Sequence, residues 1–186
     1  MGHLGNLLHL SDPTLPIGAY SHSAGLETYV QLGLVNSVAT TRDFIYQFLA
    51  SNFKTNDASY MVLAYQAAES GNMAALIQID QEITAIKAPK EIRIASQKLG
   101  IRMLKIFRRN LDVPLIAQLE TAIKCKKATG HYPLVYAIYA QAMEIPLKDA
   151  LFAFYYNAAV GLVTNSVKLV PLGQLDGQDI LFEVNK

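Results

Sequence analysis

Apolar residues recur every three to four positions along most of this chain, the spacing that gathers them on one face of an α-helix. Phe44, Ile45, Phe48 and Leu49 form the first such stripe, after the helix-starting residues Thr40 and Thr41. Asn56 or Asp57 is placed to cap a second helix, which buries Met61, Leu63, Ala64, Ala67 and Ala68 and stops at Ser70 and Gly71. Asn72 opens a third, carrying Met73, Leu76, Ile77, Ile79 and Ile83. Pro89 suits the first turn of the next, because its missing N–H would be unpaired there anyway. Ile92, Ala95, Leu99, Met103 and Phe107 then continue the repeat, and Gly100 interrupts it, as expected where another backbone comes close. Pro114 restarts the pattern with Ile116, Leu119, Ala122 and Ile123, and Gly130 closes it. Tyr132–Met143 is apolar nearly all round, and Pro146 opens the longest helix, through Phe152, Tyr155, Ala159 and Val163. No segment alternates as a strand, and no hairpin signal, repeat or linker is visible. The pattern predicts an all-α fold: a single irregular helical bundle of about eight to ten helices spanning residues 1–186. Helices 132–143 and 147–167 belong at its centre.

Composition adds one expectation. Of 186 residues, 52% are hydrophobic and 17% charged, so the chain is more apolar than an ordinary soluble domain. That excess predicts a surface covered by a partner or by a second copy. Tyr136, Tyr139, Tyr155 and Tyr156 on the central helices need hydroxyl partners, and an interface is one place to find them. A membrane span is not expected, since Leu147–Val170 carries Lys148, Asp149, Asn157, Asn165 and Lys168. A peripheral membrane role is partly matched by Ile92–Arg109.

A net charge of +1 does not favour nucleic acid. The basic stretches Lys87–Arg93, Arg102–Arg109 and Lys124–Lys127 read as solvated faces, or else as docking surface for an acidic partner. One cysteine, Cys125, excludes an intrachain disulfide. The N-terminus has no secretory pattern, so a cytoplasmic protein is expected.

Two blocks stand apart from the helical repeat. Leu10–Glu27 crowds small and hydroxyl residues around Gly18 and Gly25, and Pro171–Gln178 (PLGQLDGQ) is polar and glycine-rich directly after the longest helix. Neither holds a nucleotide motif, for there is no GxxxxGK[ST], and Gly18, Gly25 and Gly33 do not form a dinucleotide fingerprint. His3, His9, His22 and His131 lack metal-ligand spacing. His9 and Asp12 could share a metal on a turn, but plain capping accounts for them more simply. Ser21, His22 and Ser23 are not a nucleophile elbow; Ser21 and Ser23 fit helix capping, with Glu27 one turn after Ser23 to receive a buried hydrogen bond. The rival reading is a small helical enzyme with His22, Glu27 and His131 as acid–base groups.

Pro16-Ile-Gly-Ala-Tyr-Ser-His-Ser-Ala-Gly-Leu-Glu27 resembles the N-terminal signature of the urease accessory protein UreF family. Arg93–Gly100 (RIASQKLG), Gly130–Val135 (GHYPLV) and Val167–Gln178 (VKLVPLGQLDGQ) are similar in the same order, so the resemblance runs from about Leu7 to Leu181. Three points stand out. Lys168 occupies a position where the family usually has arginine, Ala137 one where glycine is common, and the resemblance leads one to expect a C-terminal tail, which helps bind the scaffold partner, beyond Lys186. The resemblance implies a non-enzymatic, homodimeric chaperone for nickel insertion that bridges the scaffold UreD (UreH) and the GTPase UreG on apo-urease and controls GTP hydrolysis. No cofactor is implied. Pro16, Gly18 and Gly25 are expected to shape the first turn. Leu172, Gly173, Gln174 and Gln178, with Lys168, His131 and Tyr132, are the expected partner-binding residues. A helix-ending turn at Pro171–Gly173, with the glutamines satisfying buried carbonyls, is the plainer alternative.

Overall fold

The computed structural model describes residues 2–18 and 25–185. Among them are ten α-helices and one π-helical stretch, and no strand. The helices are α1 (His3–Leu10), α2 (Leu26–Gln31), α3 (Val38–Gln47), α4 (Ser59–Glu69), α5 (Met73–Ile86) and α6 (Lys90–Phe107). They continue with α7 (Pro114–Lys124), α8 (Tyr132–Ala142), α9 (Leu147–Leu169) and α10 (Gln174–Val184). The chain divides into two compact units, Met1–Ile17 with Thr55–Ala153, and Gly18–Lys54 with Phe154–Lys186.

In the first unit α8 is the interior element. Every residue from Pro133 to Ala140 is buried, and α8 packs against α4, α6, α1 and α5. Burying a large apolar side chain is worth about 1.5–3 kcal/mol, so a helix hidden on all sides anchors what surrounds it. Its two fully buried tyrosines are satisfied within the chain. Tyr136 donates to the Ala150 carbonyl at 3.1 Å and Tyr139 to the Leu104 carbonyl at 3.3 Å. Burial pushes both phenols up to about 12.

The second unit has its own core of Ile45, Leu49, Ala159, Leu162, Val163 and Ile180. A smaller cluster joins Leu26, Val35 and Val170, and Leu172 packs on both.

Several local expectations need correcting. Asn56 and Asp57 cap nothing: α3, the π-helical stretch Phe48–Ala58 and α4 follow one another without a break. The apolar stripe on either side keeps the backbone helical, and Asp57 pairs with Lys87 instead. Helix α3 begins before Thr40, because Ser37 is its cap. The Thr40 hydroxyl accepts from the Ser37 amide at 3.0 Å while the Ser37 hydroxyl accepts from the Thr40 amide, a reciprocal capping box. Pro89 is the cap residue of α6, not its first turn. Asn72 caps α5 as expected, accepting from the Ala75 amide at 3.1 Å. Helix α9 is not enclosed on all sides, since Phe152 is 58% exposed and Tyr156 is also open to solvent.

Candidate functional site

The C-terminal block resolves into a turn and a helix. Helix α9 ends at Leu169, Pro171–Gly173 form the connection, and α10 begins at Gln174. The Gly173 amide donates to the Asp176 carboxylate at 2.8 Å, closing the helix start. Gly177 then faces α9. A Cβ there would lie 2.8 Å from a Val167 methyl and 3.2 Å from a Val163 methyl, so its bareness brings α10 down onto α9. Ile180, one turn on, is buried.

Seating Gly177 and Ile180 inward turns the opposite face outward. Gln174, Gln178 and Phe182 recur at four-residue intervals on one helix face, with Leu175 beside them. Both glutamines are exposed; Leu175 is 80% and Phe182 71% exposed. The glutamines therefore do not satisfy buried carbonyls. Lys168 is exposed near the end of α9, whereas Leu172 is half-buried against the core.

His131 is elsewhere and inside. It is fully buried at the start of α8, with Nδ1 3.0 Å from the Ser96 hydroxyl and Nε2 3.0 Å from the Thr84 hydroxyl. The Thr84 hydroxyl donates to the Asp80 carbonyl at 3.0 Å, which leaves it to accept from Nε2–H. Burial is the main force holding the imidazole down to about 4, with Lys87 and Arg93 adding to it and Asp80 opposing. The ring is thus neutral at neutral pH. A side chain buried with both nitrogens engaged presents nothing to a partner, so the surface role expected of His131 is corrected to an interior one. Tyr132 beside it is half-buried and packs edge-on against Tyr136 at 5.9 Å.

Asp80 is the residue that sequence reasoning missed. Its carboxylate is fully buried and accepts from the Gly130 amide at 3.0 Å and the His131 amide at 2.9 Å. It also takes both the amide and the hydroxyl of Thr129. A carboxylate at a helix start satisfies amides that the helix itself cannot. Gly100 completes the arrangement. A Cβ on it would fall inside the envelope of the Gly130 carbonyl oxygen and 3.0 Å from the His131 carbonyl carbon. The RIASQKLG and GHYPLV blocks thus meet directly, through Ser96 on His131 and Gly100 on Gly130. A lone aspartate among the isoleucines of α5 was the available signal.

Within the Lys87–Arg93 stretch Lys90 and Glu91 are exposed, as a solvated face requires, but Lys87 departs from it. Lys87 is buried and holds both Asp57 oxygens at 2.9 Å. Burial pushes the Asp57 carboxyl up, and Lys87 offsets only part of that. Arg93 donates to the Lys87 and Ala88 carbonyls at the end of α5, at 2.8 and 3.1 Å.

At the N-terminal block, Pro16 is exposed, and Gly18 and Gly25 both have positive φ, 81° and 88°. Gly25 caps α2 in that left-handed conformation, which L-residues adopt only at a cost. Ser21, His22 and Ser23 lie outside the described residues. Glu27 is exposed in the first turn of α2, not buried as a partner for Ser23 would be. Asp12 accepts from both the Thr14 amide and hydroxyl at 2.7 Å, which holds its carboxyl below the usual range. That is turn capping. Among the described residues no cluster of three or more His, Cys, Asp or Glu could hold a metal, and no helix is long and apolar enough to cross a membrane.

Comparison with known proteins supplies the rest. A family model described as UreF matches residues 35–185. A protein of Actinobacillus pleuropneumoniae serotype 3 is 52% identical over 182 residues, covering 98% of this chain and 80% of its own length. One from Haemophilus influenzae strain PittGG is 49% identical over 181 residues, covering 97% of this chain and 77% of its own. A more distant relative from Bacillus sp. strain TB-90 is 33% identical over 184 residues, covering 99% and 81%. Each is named urease accessory protein UreF. With four sequence blocks in order and a helical fold behind them, this chain belongs to the UreF family of urease accessory proteins.

Proposed function

We propose that this chain is a non-enzymatic adaptor in urease maturation, bridging the scaffold UreD (UreH) and the GTPase UreG on apo-urease. In this reading it regulates GTP hydrolysis so that nickel, the cargo, is delivered in step, and it acts in the cytoplasm as a homodimer. The observation that carries the proposal is the outward face of α10. Gln174 and Gln178 offer amide donors and acceptors between the exposed apolar side chains of Leu175 and Phe182. Apolar anchors flanked by adaptable polar groups are what a protein interface uses. Gly177 and Ile180 hold that face in place from below, Gly173 starts it, and Lys168 lies just upstream. Further exposed apolar residues, Leu4, Leu8, Leu32 and Leu34, agree with a chain that keeps company.

The acid–base alternative gains no support from the same geometry. His131 has both nitrogens committed to hydroxyls, and Glu27 is solvated.

Light scattering after gel filtration, on the chain alone and mixed with UreD-type and UreG-type partners, tests the proposal. A dimer that enters a larger complex with both is expected. Gln174→Ala together with Gln178→Ala should weaken assembly while helicity by circular dichroism stays intact. Unchanged assembly in that variant would remove α10 from the docking surface, and a chain that ignores both partners would sink the adaptor role.

A further inference from the structure

A groove of about 580 Å³ runs along α6, bordered by α7 and the residues after it. Ile94, Ile101 and Ile123 give it an apolar side. Lys98, Arg102, Lys105 and Lys126 bring four cations to its lining, and no carboxylate lines it. The chain as a whole is nearly neutral, with 16 Lys and Arg against 15 Asp and Glu, so this concentration is local. Arg102 spends one nitrogen on the Ile17 carbonyl at 3.0 Å. Lys98, Lys105 and Lys126 form no ion pair among the described residues. Lys126 is held at φ 58° directly after the α7 cap residue, a left-handed position that a glycine would fill at lower cost.

We infer that this groove binds an acidic amphipathic helix of a protein partner, a second docking surface separate from the face of α10. Three uncompensated ammonium groups around an apolar trough call for carboxylates flanking apolar side chains. The lining on α6 extends from Ile94 to Lys105, a rise of about 17 Å, which fits roughly three helical turns. The apolar side argues against nucleic acid, because isoleucines offer no stacking platform for bases and no aromatic residue lines the groove.

The test uses the full chain and a fluorescein-labelled synthetic helix of three to four turns, with leucines at three- and four-residue spacing and glutamates elsewhere. Fluorescence anisotropy should rise saturably and weaken as salt is added. Lys98→Glu with Lys105→Glu should reduce affinity at least tenfold, with circular dichroism unchanged. A peptide whose leucines are replaced by serine should bind at least tenfold more weakly than the parent. Absence of saturable binding overturns the inference, as does equal binding by the charge-reversed protein or by the leucine-free peptide. Tighter, lysine-dependent capture of single-stranded RNA or of phosphatidylserine vesicles would also overturn it, by assigning the groove to another class of ligand.

Discussion

Replacing Gly100 by alanine tests whether the meeting of α6 with the start of α8 is as tight as it looks. The new methyl would collide with the Gly130 carbonyl oxygen and stand 3.0 Å from the His131 carbonyl carbon, both of them backbone. Backbone cannot swing aside as a side chain can. It is held here by Asp80, whose Oδ1 accepts from the Gly130 amide at 3.0 Å and the His131 amide at 2.9 Å. Overpacking of this kind costs about 1–3 kcal/mol, and stretching those two hydrogen bonds adds up to about 1 kcal/mol each. The expected loss is therefore about 1–5 kcal/mol, a large share of a typical stability of about 5–15 kcal/mol. At about 2–4 °C per kcal/mol, the melting temperature should fall by roughly 2–20 °C. Gly161 in α9 is the matched control, since nothing lies within 4 Å of a Cβ built there. Gly161→Ala should stabilise by about 0.5–1 kcal/mol, because alanine suits a helix interior better. Urea unfolding followed by circular dichroism gives both values, and amide exchange at His131 should quicken only in Gly100→Ala. If Gly100→Ala came within about 0.5 kcal/mol of the parent, or matched Gly161→Ala in sign, the close approach would be refuted.

His131 predicts an acid limb. Its folded value near 4 lies below the ordinary 6.5, so its contribution is complete above about pH 6.5 and lost as pH falls towards 4. The span amounts to about 3 kcal/mol at most; in urea titrations at several pH values, the stability gap between the parent and His131→Gln should narrow over that window. The buried Lys87–Asp57 pair predicts an asymmetry: Lys87→Ala strands Asp57 and should cost about 3 kcal/mol, whereas Lys87→Met with Asp57→Leu should recover most of it. Because burial already pushes the Asp57 carboxyl up, the cost of Lys87→Ala should shrink in acid, where Asp57 protonates; a cost independent of pH would argue against a stranded charge.

The helical repeat was legible because it is a local property. The stripes through Met61–Ala68, Ile92–Phe107 and Ile116–Ile123 each lie on a helix where the period places it, and the breaks at Gly71, Pro89 and Gly130 fall between helices. Gly100 could be read as a close approach, since a glycine on an apolar helix face gives up side-chain burial and gains only room. Position along the chain, however, says nothing about which distant residue fills the gap. That Gly130 meets Gly100, that Ser96 reaches His131, and that Asp80 receives the amides ahead of α8 are facts of packing between segments tens of residues apart. The same holds for charge. Lys87 and Lys98 look alike in sequence, yet one is buried on Asp57 and the other stands at a groove with no ion pair among the described residues. The neighbouring elements decide which of the two keeps its water. The order of apolar, glycine and proline positions by itself determined an all-α chain, and four motif blocks in order carried the resemblance to its family. Only the tertiary structure decided that the polar block after α9 turns into a helix with Gly177 facing inward and its glutamines outward. Helix periodicity follows from bonds within a few residues, whereas burial depends on surfaces brought together from across the chain.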